Sequence, residues 1–240
     1  MSKNWKIITI ETNSSYKIES LISSANERWQ LFSPEEPLLV GISGGKDSLS
    51  LLKILSKLHP HVEAIHIPFS STEPGTYHEF CQSLAPYHVP DIEISKLIKT
   101  TLKKPCFNCT KARRKVILEY AESRNIRKIV FAHHRDDVIE TFIMNMLYQD
   151  ELSTMNPRQP LFGGRFEIIR PLYMVPEYLI RKYADENSLP IAKNTCGYGD
   201  QTKRSYVRKL LHDIQLENTG RDIREHVFNS LLNPNFDFMP

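Results

Sequence analysis

The apolar run Leu38-Leu39-Val40 continues through Gly41-Ile42-Ser43 and stops at a glycine pair. A run this short, bounded by glycine and without polar alternation, predicts a strand buried on both faces of a parallel sheet. Directly after it the period changes: Leu51, Ile54, Leu55 and Leu58 recur at the spacing of one helical face. Asp47 or Ser48 is placed to cap that helix. The alternation returns in VEAIHIPF (62–69) as a second strand, DIEI (91–94) as a third and KIVFAH (128–133) as a fourth, with helices expected over 76–86 and 109–124. This order predicts an α/β fold: a doubly wound, mostly parallel sheet with helices on both faces.

Beyond residue 150 the texture changes. MNPRQPLFGGRF (155–166) reads as a Pro- and Gly-rich loop, EIIRPL (167–172) as a short strand and VPEYLIRKYADEN (175–187) as an amphipathic helix. NTCGYGDQTK (194–203) is a second glycine-bearing loop, a helix is expected from Tyr206 to about Asn218, and the closing DFMP shows no pattern. On this reading residues 1–24 have no interpretable role, 25–195 form the α/β domain, and 196–240 are a C-terminal extension with helix.

Composition narrows the class only mildly. The 240 residues are 40% hydrophobic and 25% charged, enough for a substantial core. The net charge of +3 is too small to imply nucleic acid by itself, so local clustering of Lys and Arg has to decide. No apolar run approaches the roughly 20 residues of a membrane helix, and the N-terminus lacks the apolar stretch and cleavage site of a secretory signal. A cytoplasmic protein with no membrane partner is expected. Of the four cysteines, Cys106 and Cys109 are spaced C-x-x-C while Cys81 and Cys196 stand apart, which is not a disulfide framework. Cys81, spaced from Phe80 and Leu84 like a buried helical residue, reads as core.

Ligands of such sheets bind at the carboxyl ends of the strands, where two polar loops are expected. In GISGGKDS (41–48), Val40 and Asp47 break the Walker pattern, and Ser43 breaks the dinucleotide fingerprint. What remains is a cradle: Ser43, Gly44, Gly45, Lys46, Asp47 and Ser48 offer backbone N–H groups, a helix start, hydroxyls and a lysine to a polyphosphate, with Asp47 able to hold magnesium. The plain alternative is a tight turn with a capping aspartate. In the second loop, Ala132-His133-His134-Arg135-Asp136-Asp137, two histidines and two acids could ligate zinc, but beside a phosphate loop they favour magnesium and phosphate contacts. The alternative there makes Asp136 a helix cap and leaves the histidines solvated.

Cys106 and Cys109 follow Pro105 at a helix start, where the positive helix end favours thiolates. C-x-x-C alone is ambiguous among zinc, a redox disulfide and iron–sulfur ligation. Cys196 has no C-x-x-C partner, so these motifs cannot build a closed four-cysteine zinc site; zinc completed by Cys81 or a histidine competes with a three-cysteine 4Fe-4S cluster. Lys103, Lys104, Lys111, Arg113, Arg114 and Lys115 surround the C-x-x-C, and Lys203, Arg204, Arg208 and Lys209 follow Cys196. Such basic runs bind RNA phosphates or simply face solvent.

S-G-G-K-D-S resembles the loop of the PP-loop ATP pyrophosphatases, which implies cleavage of ATP to AMP and pyrophosphate with adenylate passed to a carbonyl oxygen. A-H-H-R-D-D resembles the G-H-H-R-D-D element of PP-loop tRNA sulfurtransferases, with Ala132 in place of the glycine. Together with C-F-N-C, IIRPLYMVPEYLIRKYADENSLPI and N-T-C-G, the chain from about residue 25 to its FDF resembles the tRNA 2-thiocytidine biosynthesis proteins. That resemblance implies a transferase that replaces the 2-oxo group of an anticodon-loop cytidine with sulfur. It implies a 4Fe-4S cluster on Cys106, Cys109 and Cys196 with one iron open to sulfide, and Lys46 beside them in catalysis. ATP would meet Ser43, Gly44, Gly45, Lys46, Asp47, Ser48, His133 and Asp137, with Mg2+ on Asp47. tRNA would meet Lys111, Arg113, Arg114, Lys203 and Arg204. Further partners are a sulfur donor such as a cysteine desulfurase and a second copy in a homodimer. Two readings compete: a ligase of the lysidine synthetase type, which needs no cysteine, and a zinc-stabilised RNA-binding module without ATP turnover. Thiolation of another nucleoside or a small molecule is a variant of the first reading.

Overall fold

The computed structural model describes residues 13–69, 76–97, 105–192 and 203–238. The first apolar run forms strand β1 (Leu38–Ile42). Successive side chains of a strand point to opposite faces, so Leu38, Val40 and Ile42 enter one core while Leu39 enters another. Fully burying each such side chain is worth about 1.5–3 kcal/mol. A one-residue slip would exchange the two sets, so the run fixes its own register.

Helix α2 (Lys46–Leu58) follows, and its N-cap is Gly45; Asp47 and Ser48, the expected caps, lie in its first turn. Strand β2 (Val62–His66) leads to α3 (His78–Leu84), where Cys81 is buried in the first core as expected. The third strand is not DIEI but the shorter β3 (Tyr87–His88). Pro90 lacks the N–H that a ladder needs and Ile92 N donates back to its carbonyl, so the chain turns there and Ile94 opens a short helix, α4 (Ile94–Leu97). Helix α5 (Pro105–Ser123) starts four residues earlier than expected at 109, with Pro105 at a first position that suits its missing N–H. The C-x-x-C therefore lies within the helix, from its first turn to the start of its second. Strand β4 (Lys128–Val130) and α6 (Arg135–Tyr148) complete the first half of the pattern.

The segment 155–166, expected as loop, contains strand β5 (Arg158–Leu161), joined by a 3₁₀ turn over Phe162–Gly164 to β6 (Phe166–Ile169). β5 is an antiparallel edge strand with half its positions exposed and Pro160 within it, so it carries neither the apolar run nor the alternation that marks a strand. A 3₁₀ turn over Pro171–Met174 precedes α7 (Glu177–Glu186).

Three helices lie outside the sheet pattern. Helix α1 (Ser14–Trp29) runs through the boundary expected at residue 24; Ile18, Ile22 and Ala25 line one face and pack with α7 and the Pro171–Met174 turn in the first core. The C-terminal extension is two helices rather than one, α8 (Lys203–Glu217) and α9 (Ile223–Leu232), the second capped by Asp222. Val207, Leu211 and Phe228 of this pair pack with Val138, Ile139 and Ile143 of α6 in a third core.

The sheet order is β3-β2-β1-β4-β6-β5, all parallel except β5. The chain leaves β1 toward β2 on one side and returns on its other side at β4. Between those strands the winding reverses, which opens a crevice at their carboxyl ends. No helix among the described residues is long and apolar enough to cross a membrane.

Ion pairs fasten the C-terminal helices to α6. Glu140 is fully buried and receives Arg208 through Nε at 2.8 Å and Nη2 at 3.2 Å, while Arg204 stands at 3.8 Å. Arg208 is half exposed, but removing it leaves the buried Glu140 carboxylate with only Arg204 beside it among the described residues. Arg208→Ala is therefore expected to cost about 2–3 kcal/mol of stability, read by urea denaturation. A change below about 0.5 kcal/mol would mean that the Glu140 carboxylate regains water.

Candidate active site

The loop after β1 is closed by its own hydroxyls. Ser48 Oγ accepts from Ser43 N at 3.2 Å and donates to Gly45 O at 3.0 Å, and Gly45 N donates to Ser43 Oγ at 3.3 Å. Gly44 sits at φ +78°, and a Cβ there would lie 2.8 Å from Tyr77 Cε1 and 3.0 Å from the Ala192 Cβ. Gly44 O accepts from Ala192 N at 2.9 Å. Beneath the loop, His66 Nδ1 donates to Ile42 O at 2.9 Å, since a carbonyl can only accept, and His66 Nε2 therefore accepts from Tyr77 Oη at 3.1 Å.

Lys46 opens α2 and is held by carboxylates. Its Nζ lies 2.8 Å from Glu177 Oε1 and 3.0 Å from Asp47 Oδ1. Burial alone would pull the lysine down, but Asp47 and Glu177 outweigh it and raise its pKa. Burial likewise favours the neutral form of Glu177, yet the hydrogen bond and charge of Lys46 carry it down to about 2. Both groups are ionised, and the ammonium waits on internal counter-ions. The buried Oδ1 of Asp47 accepts no well-aligned hydrogen bond among the described residues and faces the Lys46 ammonium, a carboxylate oxygen that suits a cation.

In the second loop the helix cap is His134, not Asp136. His134 Nδ1 accepts from Asp137 N at 3.4 Å and Asp137 Oδ2 accepts from His134 N at 3.2 Å. His134 Nε2 then faces Asp47 Oδ1 at 3.7 Å. Asp136 ties two helices together, accepting from Glu177 N at 2.8 Å, with Arg224 at 3.2 Å. The histidines are not solvated: His134 is buried and His133 receives Arg170 Nε on its Nδ1 at 3.3 Å. A guanidinium cannot accept, so Nδ1 is the bare nitrogen of His133 and Nε2 carries the proton. Burial, then the Arg170 charge, pushes the pKa of His133 down to about 4.

This shift has a measurable sign. The unfolded chain binds a proton at His133 below about 6.5, whereas the folded chain waits until about 4. Between those values the unfolded state holds more protons, so acidification removes stability across that window. His133→Asn is expected to flatten the fall of melting temperature between about pH 6.5 and 4. Below about 4.5 both proteins should still lose stability as Glu177 protonates, its folded pKa being near 2.

His133 lines a cavity of about 240 Å³ with Gly41, Ile42, Ser43, Ile65, Ile67 and Phe131 from the strand ends. Its remaining wall is α5: Thr110, Arg113, Arg114 and Ile117. The helix that starts with C-x-x-C therefore borders the phosphate loop. Buried Arg113 Nε has no hydrogen-bond partner among the described residues. Cys106 and Cys109 are three residues apart in α5, and Cys109 is half-buried against the second core. Cys196 lies outside the described residues, among which no three His, Cys, Asp or Glu side chains converge as a metal site.

The residues expected to reach RNA divide. Lys111, Arg113 and Arg114 border open cavities. Lys203 is exposed, with Nζ 4.2 Å over the Tyr148 ring. Arg204 is drawn inward instead: its Nη1 donates to Asp137 Oδ1 at 2.8 Å, so an expected RNA contact and an expected nucleotide contact neutralise each other. Sequence reasoning missed Glu177, Arg170 and Tyr77. The first two stand in the quoted segment IIRPLYMVPEYLI, where a charged residue at the end of a buried strand was the available signal for Arg170.

Comparison with known proteins bears on this geometry. Residues 10–216 match the PP-loop domain family. A curated relative from Francisella tularensis, tRNA-cytidine(32) 2-sulfurtransferase 2, is 30% identical over 92% of this chain and 93% of its own. The tRNA-cytidine(32) 2-sulfurtransferase of Polynucleobacter asymbioticus is 29% identical over 94% of this chain and 78% of its own. Among solved structures, the U34-tRNA thiolase NcsA from Methanococcus maripaludis with its 4Fe-4S cluster superposes with a TM-score of 0.73 at 20% identity, over 92% of this chain and 80% of the other. At that identity the likeness speaks for the fold.

Proposed function

The chain belongs to the PP-loop domain family and, within it, to the tRNA-cytidine 2-sulfurtransferases, and from that premise we propose that it uses ATP to exchange the 2-oxo group of an unpaired tRNA cytidine for sulfur. One observation carries the reading at the level of residues: the helix that begins at the C-x-x-C, α5, walls the same cavity as Ser43 of the phosphate loop and His133.

The chemistry needs two exchanges. The cytidine O2 attacks the α-phosphorus of ATP and pyrophosphate leaves; a sulfur nucleophile then attacks C2 and AMP departs with the oxygen. An adenylated oxygen is a far better leaving group than a pyrimidine carbonyl. Ser43, Gly44, Gly45 and Ser48 present the loop to the phosphates, and Lys46 exchanges Glu177 and Asp47 for phosphate oxygens, where its charge stabilises the developing pyrophosphate. Asp47 Oδ1 is the acceptor for Mg2+. His133, neutral and protonated on Nε2, donates a hydrogen bond without surrendering its proton, a role suited to an oxygen gaining negative charge. Asp137 contributes by fixing the His134 cap. The apolar cavity walls, Ile42, Ile65, Ile67 and Phe131, accept a flat ring and exclude water. An unpaired base costs less to move into such a pocket than a paired one.

Cys106, Cys109 and Cys196 are the residues that would hold a 4Fe-4S cluster, thiolates being its usual ligands. Such a cluster supplies an iron position with no protein ligand, at which sulfide can be presented. Mg2+, a cysteine desulfurase as sulfur source, a cytoplasmic setting and a homodimer complete the proposal. The extension from residue 196 serves it by supplying the third cysteine.

The test is direct. Protein purified without oxygen is assayed for iron and acid-labile sulfide, then incubated with a tRNA transcript, Mg-ATP and sulfide. The expected product is 2-thiocytidine in the digested RNA, with AMP and pyrophosphate in equal amounts. A colourless, zinc-loaded protein that turns over no ATP would sink the proposal in favour of a structural module.

A further inference from the structure

A second hollow of about 620 Å³ lies between α5 and the turn joining β5 to β6, bordered by Lys111, Arg114 and Lys115 of the helix and by Phe162 and Arg165 of the turn. Arg114 borders this hollow and the ATP-side cavity alike, so the two adjoin. The charges do not cancel. Lys115 faces Glu119 at 3.6 Å and Arg165 pairs with Glu122, but Lys111 and Arg114 have no carboxylate partner among the described residues. Two cations are left over at the rim. Phe162 of the turn borders the same hollow, 72% exposed and held at φ 50°, a conformation uncommon for a bulky side chain. The two glycines after it meet no neighbour within 4 Å of where a Cβ would be, so the outer side of the turn is open, while Gly164 O accepts from Arg127 Nη2 at 2.8 Å and ties the turn to the body.

An exposed aromatic ring that shares a hollow with two unpaired cations, beside a reaction cavity, has the chemistry of a stacking platform for single-stranded nucleic acid. Resting on the RNA-thiolation reading above, we propose that this hollow holds an unpaired nucleotide next to the reacting cytidine, its base stacked on Phe162 and its phosphates met by Lys111 and Arg114. The base contact is sequence-tolerant because every base has a π-face, while the phosphate contacts carry the salt dependence. The occupant's position follows from the shared wall: a strand with one base in the inner cavity passes Arg114 to reach the ring.

Fluorescence anisotropy with a labelled anticodon stem-loop tests this on the full-length holoprotein. Phe162→Ala is expected to weaken RNA binding roughly tenfold, Phe162→Trp to retain it, and ATP affinity to stay unchanged in both. Lys111→Ala should reduce the slope of log affinity against log salt by about one. Unchanged RNA affinity in Phe162→Ala overturns the proposal. If that variant also loses turnover with a cysteine desulfurase but not with inorganic sulfide, the surface docks the protein donor instead, which overturns it as well. A parent protein that thiolates RNA while the variant binds it normally defeats only the platform; a parent that binds no RNA defeats both readings.

Discussion

Cys109→Ser is expected to reduce sulfur insertion into RNA to background while leaving ATP affinity within about twofold of the parent. Serine matches the thiol closely in volume, and Cys109 is only half-buried at the edge of the second core, so the fold has little to lose. What changes is the ligand: a hydroxyl is a hard donor that stays protonated at neutral pH, where a thiolate is a soft one. The phosphate loop is on another element and its internal hydrogen bonds do not involve α5. The two readouts therefore separate the sulfur chemistry from the nucleotide chemistry. Nucleoside mass spectrometry measures the first, and equilibrium titration with a non-hydrolysable ATP analogue the second. Full thiolation by the variant would refute a ligand role for Cys109, and a lysidine-type ligase would be indifferent to the change.

Gly44→Ala is expected to lower kcat/KM for ATP by roughly a thousandfold or more, about 4 kcal/mol. The backbone at φ +78° costs an L-residue about 1–2 kcal/mol before any contact is counted. The new methyl then meets Tyr77 Cε1 at 2.8 Å and Ala192 Cβ at 3.0 Å. Neither can yield cheaply. Tyr77 is almost fully buried and hydrogen-bonded to His66, which is itself tied to β1 through Ile42 O, and Ala192 N is bonded to Gly44 O. The loop must move instead, and a displacement near 1 Å at a phosphate cradle costs about a hundredfold in rate. Steady-state kinetics at saturating RNA measures the loss. Activity within tenfold of the parent would show that the loop tolerates another path. Gly45, where a Cβ meets only Ser43 Oγ at 3.4 Å, is expected to accept alanine far better.

The fold was legible where burial dictates composition. β1 and β4 are covered on both faces, so they read as apolar runs, and α2 shows a helical stripe because one face meets the core. Elements at the margin gave weaker signals. β5 is an edge strand with a proline and solvent on one side, and DIEI has the alternation of a strand but follows a proline that turns the chain. α1 and α9 bury narrow stripes between polar residues. For the site, Lys46, Asp47 and His133 stood out because their neighbours form compact motifs. Their partners Glu177 and Arg170 come from elements more than thirty residues away. Only the winding of the sheet brings those carboxylate and guanidinium groups to the loops. The His134 cap was missed for a local reason: Ser, Thr, Asp and Asn are the usual caps, and a histidine is not sought there.

Two described residues on either side of Cys196 in the sequence, Ala192 and Arg204, are bonded at the phosphate site. On one side Ala192 N is bonded to Gly44 O at 2.9 Å, and on the other Arg204 is bonded to Asp137 at 2.8 Å. ATP in the cradle is expected to be felt at both anchors, because Gly44 belongs to the phosphate loop and Asp137 braces the histidine loop. If the proposed thiolation holds, fuel loading and sulfur delivery are expected to be coupled, because the residues that bracket Cys196 in the sequence are tied to the groups that would feel ATP arrive.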